Sequence, residues 1–328
     1  MKSSQDTSSV ATGAVVDGGR EERAPELWTR LAWVPLLALV SSLIYLGVRP
    51  GGAGPVFVYM TGRLLIGLCS LLLFMWGLIL GVLRRPLIRR ERVRAFVIVV
   101  AVLAISNYPF PYPSSREGKP SRVEFRLPVE GEWVVLWGGE QKETNRLAGF
   151  YPDQRWGMHL IREEGGVSFE GAGDQAEQHH CHGEPVFAPS AGTVVRVVDG
   201  WNEGGALTAS VEPFGNHLVL EVAEGEFLFL TQLLAGSLIP AEGDLVEAGD
   251  QIARVGFSGF SMVSPMPHLG LHLATSPSPG EGEGIPWSFH GYISAGAFLE
   301  EGFPEGGVAR DGRLTGARVT HRGPQEGD

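Results

Sequence analysis

Hydrophobic positions fall into two regimes along the chain. Up to Phe110 they form long unbroken runs; after Val123 they form short alternating stretches split by Gly, Pro and Asp. Three runs carry no charge: Leu31–Val48 between Arg30 and Arg49, Leu64–Leu83 between Arg63 and Arg84, and Ala95–Phe110 after Arg94. A helix needs about 20 apolar residues to cross roughly 30 Å of hydrocarbon. The second run meets that length, its apolar flank reaching back to Val56. The other two recruit flanking residues. The pattern predicts three membrane-spanning helices, at about 31–48, 60–83 and 95–110, within residues 27–112. Residues 1–26 show no periodicity and read as a disordered tail.

In the second regime, EWVVLW (Glu132–Trp137), TVVRVV (Thr193–Val198), HLVLEV (His217–Val222), EFLFL (Glu226–Leu230) and LGLHLA (Leu269–Ala274) read as strands. No amphipathic helix of ordinary length intervenes. The expected fold is an all-β antiparallel sandwich or barrel over 123–292, after a linker at 113–122 that Pro109, Pro111 and Pro113 start. The IPW core of Gly282–Tyr292 should pack across that domain. Residues 293–328, rich in Gly, Arg and Glu, read as a largely disordered segment. The pairs Glu163–Glu164 and Glu300–Glu301 read as solvated faces.

Charge sharpens the division. Residues 1–110 hold 12 Lys+Arg against 6 Asp+Glu; the remainder hold 14 against 31, out of totals of 26 and 37. An acidic soluble half repels phosphate backbones, which excludes nucleic acid and leaves the lipid bilayer and envelope components as partners. Arg84, Arg85, Arg89, Arg90, Arg92 and Arg94 crowd the loop between the second and third runs, whereas the preceding loop has Arg49 and Arg63. The positive-inside rule makes the arginine-rich loop cytoplasmic, the N-terminus cytoplasmic and everything after Phe110 extracytoplasmic. Tyr108 and Tyr112 stand where interfacial aromatics belong. No ionisable residue lies inside a run, so the helices read as an anchor rather than a transport path. The two cysteines, Cys69 in a run and Cys181 in the soluble half, make no disulfide framework.

The soluble half also carries ordered motifs: GEPVFAPSAG (Gly183–Gly192), GNHLVLEVAEGEF (Gly215–Phe227), GSLIPAEGDLVEAGDQIARVGFSG (Gly236–Gly259) and PHLGLHL (Pro267–Leu273). Taken alone, Leu238–Ile252 also fits a biotinyl-type barrel. In this order and spacing the set resembles the lysostaphin/LytM-type zinc metalloendopeptidases of cell-wall metabolism, over Gln154–Leu273. That resemblance implies a zinc held between two strands. One strand carries H-x-x-x-D and the other H-x-H, whose second His is the third ligand. The first His of that pair, with another from a Tyr-x-His-Leu segment, assists the water.

Carried onto this chain, the pattern is degraded. With Gly157 aligned to the family glycine, Arg155 stands at the first ligand and His159 at the Asp. Gln232, in LTQL, stands at the catalytic His. His268 keeps the assisting position, and Gly270 stands at the third ligand. Arg155 is a permanent cation and Gly270 has no side chain, so neither binds zinc. The expectation is a catalytically impaired, cofactor-free domain that binds peptidoglycan or another envelope protein. Two alternatives stay open: a zinc endopeptidase whose site is rebuilt around His159 and His272, and a structural envelope assembly protein. His179, His180, Cys181 and His182 form a further candidate metal set, against the plainer reading of a buried Cys181 flanked by polar loop residues. Ser258 and Ser261 (GFSGFS) lack the strand-to-helix elbow of a nucleophile and read as loop residues.

Overall fold

The computed structural model describes residues 26–84, 88–139, 143–145, 151–204, 214–259, 266–308 and 314–322. It divides into two compact units, Met1–Ala38 with Ile66–Ser106, and Leu39–Leu65 with Asn107–Asp328. Of the expected tail at 1–26, residues 1–25 lie outside the described residues, as do Arg85 of the basic loop and Ser261, while Glu26 caps the first helix.

Among the described residues, two helices, Leu27–Val48 and Ala53–Leu83, are long and apolar enough to cross a membrane. The third, Arg90–Ser106, departs from expectation. It has 17 residues, opens on charged residues and ends before Phe110. The cause is visible in the first unit. Arg92 is buried, pairing with Glu26 at 2.6 Å and donating to the Arg84 carbonyl at 2.9 Å, so the basic turn is drawn into the helix. Trp28, Ala32, Ala95 and Val99 form the core beside it. Gly77 admits the Trp28 ring, which a β-carbon there would meet at 2.8 Å.

The second unit is dominated by strands: β1 (Glu132–Gly138), β2 (Met158–Ile161), β3 (Pro185–Phe187), β4 (Gly192–Val198), β5 (His217–Ala223), β6 (Glu226–Thr231), β7 (Leu245–Val246), β8 (Gln251–Arg254), β9 (Leu269–Ala274), β10 (Phe289–Ser294), β11 (Ala297–Gly302) and β12 (Arg318–His321). Ten of them make one antiparallel sheet in the order β11-β10-β12-β1-β2-β9-β6-β5-β4-β7, and β3 pairs with β8 in a separate ribbon. The strand period of two sorts side chains to opposite faces. On the inner face, Met158 and Leu160 of β2, Leu218 and Leu220 of β5, Leu228 and Leu230 of β6, and Leu269, Leu271 and Leu273 of β9 join Val186, Ile252 and Ala253 of the ribbon in one core. Each such side chain contributes about 1.5–3 kcal/mol on burial. Ile285, Trp287 and Phe289 enter this core, with Trp287 Nε1 donating to the Trp156 carbonyl at 2.8 Å.

The C-terminal expectation needs correction. Within 293–328, the described residues 293–308 and 314–322 are not a disordered segment: β10 runs through to Ser294, β11 pairs with β10, and β12 fits between β10 and β1. Val319 is fully buried, and Arg318 pairs with Glu132 at 3.1 Å and Glu163 at 2.5 Å. Glu163, read as solvated, is therefore an ion-pair partner with its side chain 7% exposed. Backbone pairing of Glu132–Val134 with Arg318–Thr320 fastens β12 to β1, and Arg318 adds its ion pairs at the end of that ladder.

Candidate functional site

The opposite face of the sheet positions the residues singled out by motif. Pairing registers place Trp137 of β1 opposite His159 of β2, His159 opposite Gly270 of β9, and Gly270 opposite Thr231 of β6. The row thus crosses four strands. It lies between two apolar clusters, Val134, Leu136, Trp137 and Ile161 on one side and Phe214, Val219, Phe229 and Ala274 on the other. Of the family-like positions, His159, His268 and Gly270 are brought together.

His159 and His268 have ring centroids 4.9 Å apart. His268 is fully buried and its Nδ1 contacts the Met266 carbonyl at 2.8 Å. His159 keeps some accessible surface, while its Nδ1 and the His268 Nε2 are enclosed with no hydrogen-bond partner among the described residues. Burial, with His268 and His272 adding like charge, holds the His159 imidazole well below its usual value, and burial brings His268 down to about 4. Both rings are neutral near pH 7.

Gly270 is a point of close approach. A β-carbon there would collide with Thr231 Oγ1 and lie 3.5 Å from His159 Cε1. Thr231 Oγ1 occupies the space where a side chain at position 270 would begin. Arg155, at the first-ligand position, is buried, pairs with Glu117 at 2.7 Å, and lies 4.6 Å from the rings of both Tyr112 and Trp156. Asn145 holds this turn in place, its Nδ2 donating to the Arg155 carbonyl at 3.0 Å and the Gly157 carbonyl at 3.2 Å.

Gln232 has become a structural node. It adopts φ 65°, costly for a residue with a β-carbon. Its Oε1 accepts from the Gly259 amide at 2.8 Å, and its carbonyl from the Gly256 amide at 2.8 Å. Ser258 belongs to the same network, accepting from the Asn216 amide at 2.9 Å and donating to the Leu233 carbonyl at 2.8 Å. Gly215 passes so close to Gly259 that a β-carbon at 215 would collide with its amide.

His272 does not join His159 and His268 in a set of three donors. It stacks on Phe229, centroids 4.4 Å apart and planes at 10°, with Nε2 3.9 Å from Asp153 Oδ2. Burial, then the neighbouring His217, brings it down to about 3, and burial pushes Asp153 up to about 6. Asp153 and Thr231 were not singled out in the sequence. Thr231 could have been found by extending the alternation of EFLFL one step, whereas Asp153 carries no motif signal.

The HHCH run disperses. His179 Nε2 contacts the Gly173 carbonyl at 3.2 Å and His180 Nδ1 is 3.9 Å from Glu164. Cys181 is buried with Sγ directed to the Pro267 carbonyl at 3.2 Å, its thiol pushed up to about 12 by burial. His182 Nε2 meets Glu203 at 2.6 Å, which raises its pKa. Among the described residues, no three His, Cys, Asp or Glu side chains gather where one metal ion could be held. The donors at the family-like positions, a guanidinium, an imidazole and a glycine, do not fit a three-ligand zinc centre.

No protein-family model matches the chain, and no curated protein matches it. Solved structures do, and they are peptidases of the kind that the motifs resemble. A zinc-containing peptidase from Vibrio cholerae is 20% identical, with TM-score 0.30, over 46% of this chain and 36% of its own. The catalytic domain of a mutant of the prophage-encoded M23 protein EnpA from Enterococcus faecalis is 19% identical, with TM-score 0.31, over 49% and 94%. The catalytic domain of lysostaphin from Staphylococcus simulans is 19% identical, with TM-score 0.27, over 47% and 88%. Likeness at this level transfers no activity, substrate or partner.

Proposed function

We propose that this protein is a membrane-anchored, extracytoplasmic module of lysostaphin-like form that binds peptidoglycan or another envelope component without cleaving it. The observation that carries the reading is Thr231 Oγ1 standing where a side chain at Gly270, the third-ligand position, would begin. The engagement of Arg155 by Glu117 and Tyr112 adds to it. A peptide groove is shaped by backbone and loops, so ligand recognition outlasts the loss of metal donors.

The orientation rests on arginine asymmetry. Glu26, at the start of the first helix, pairs with Arg92, in the first turn of the third. That pairing supports the two helices entering the bilayer from the same side, which makes Arg90–Ser106 a third, short span completed by flanking residues. The test is co-sedimentation of the full chain, in detergent micelles, with isolated peptidoglycan. Binding with no release of new amino groups supports the reading; release of cross-bridge amines contradicts it.

A further inference from the structure

The segment between the last helix and β1 reads in the sequence as an extended, proline-rich linker, yet it is held at both ends within one compact unit. On the helical side, Tyr59 Oη donates to the Phe110 carbonyl at 2.8 Å. The Arg63 guanidinium donates to the Tyr108 carbonyl and lies 4.9 Å and 5.3 Å from the rings of Tyr59 and Phe110. On the β side, Pro113 is buried. Arg155 pairs with Glu117 at 2.7 Å and faces the Tyr112 ring at 4.6 Å. Glu283 accepts from the Ser115 amide at 2.9 Å, from Ser115 Oγ at 2.7 Å and from Ser114 Oγ at 3.3 Å. Gly51 lies against the same carboxylate, where a β-carbon would collide with it.

We propose that Arg155, Trp156 and Glu283 form a peptide-docking cleft whose occupant is the chain's own segment Tyr112–Glu117, making the linker a rigid strap rather than a tether. The occupant is specified by complementarity at Tyr112, Ser114, Ser115 and Glu117. A carboxylate meets the buried guanidinium, an aromatic face stacks on it, and a hydroxyl and an amide converge on the Glu283 carboxylate. Arg155 precedes β2 and Glu283 lies between β9 and β10, so the strap draws together segments distant in sequence. The guanidinium at the family's first-ligand position is thereby a positioning group for the linker. This inference holds whether or not the domain is catalytic.

Limited trypsin digestion of the full chain in detergent micelles reads the strap directly, with cleavage after Arg116 followed by mass spectrometry and cleavage after the exposed Arg122 as reference. The variants are Arg155→Ala, Glu283→Ala and Tyr112→Ala, none of which alters a residue beside the scissile bonds. The expected result is cleavage after Arg116 at least about tenfold faster in all three than in the unaltered protein, with the rate after Arg122 unchanged. Equal rates after Arg116 in all four proteins overturn the proposal. So does acceleration confined to Arg155→Ala and Glu283→Ala, which reflects a loosened domain, because Tyr112→Ala changes only the strap.

Discussion

Replacing Gly270 by Ala tests the packing of the candidate site by its sign. Where space is open, an alanine in a strand gains about 0.5–1 kcal/mol over glycine. Here the added carbon would collide with Thr231 Oγ1, while the His159 ring, 3.5 Å away, would be in ordinary contact. Both neighbours are held by strands, His159 by β2 and Thr231 by β6, in register with Gly270 itself. The strands must separate or a side chain must leave its rotamer, at a cost of about 1–3 kcal/mol. For a domain of this size that lowers the unfolding midpoint by about 3–10 °C. Thermal unfolding of the full chain in detergent, followed by tryptophan fluorescence, reports it, because Trp133, Trp156 and Trp287 are buried in the same core. Thr231→Ala removes the colliding atom, so the double variant should regain about 1 kcal/mol or more relative to the sum of the singles. A neutral or stabilising Gly270→Ala, or a double variant with no recovery, refutes the claim that Thr231 occupies the space where a side chain at position 270 would begin.

Two further outcomes follow from the same contacts. His268 titrates near 6.5 when unfolded but only near about 4 when folded, so its contribution is present above pH 6.5 and lost as pH falls toward 4. Over that window the neutral ring accounts for about 3 kcal/mol, and His268→Gln should flatten the slope of unfolding free energy between pH 6 and pH 4; an unchanged slope contradicts its burial as a neutral imidazole. Single-cysteine labelling in intact cells should find position 118 accessible from outside and position 89 protected, and the reverse pattern overturns the orientation.

The legible parts of this molecule are those governed by local periodicity. The alternation of LGLHLA put Leu269, Leu271 and Leu273 on one face and Gly270 and His272 on the other, and the core is arranged so. Charge obscured what pairing determines. Arg318, Glu300 and Glu301 made the C-terminus look unstructured, although Arg318 is satisfied by Glu132 and Glu163 across strand and loop. In the third helix, Arg92 looked like a solvated loop residue until Glu26 is placed beside it. At the site, motif spacing brought His159, His268 and Gly270 together. It could not show that His272 turns to Phe229 and Asp153, or that Thr231 fills the gap, because both depend on inter-strand register. The positive φ of Gln232 is likewise a property of the loops it joins.

We propose that the lysostaphin-like positions hold no metal. Elemental analysis of the purified full chain, beside its His159→Ala and His272→Ala variants, tests it most directly. Zinc should stand well below one ion per chain, at the same level in all three proteins. About one zinc per chain in the unaltered protein, lost in either variant, would contradict it and put a rebuilt metallohydrolase site in its place.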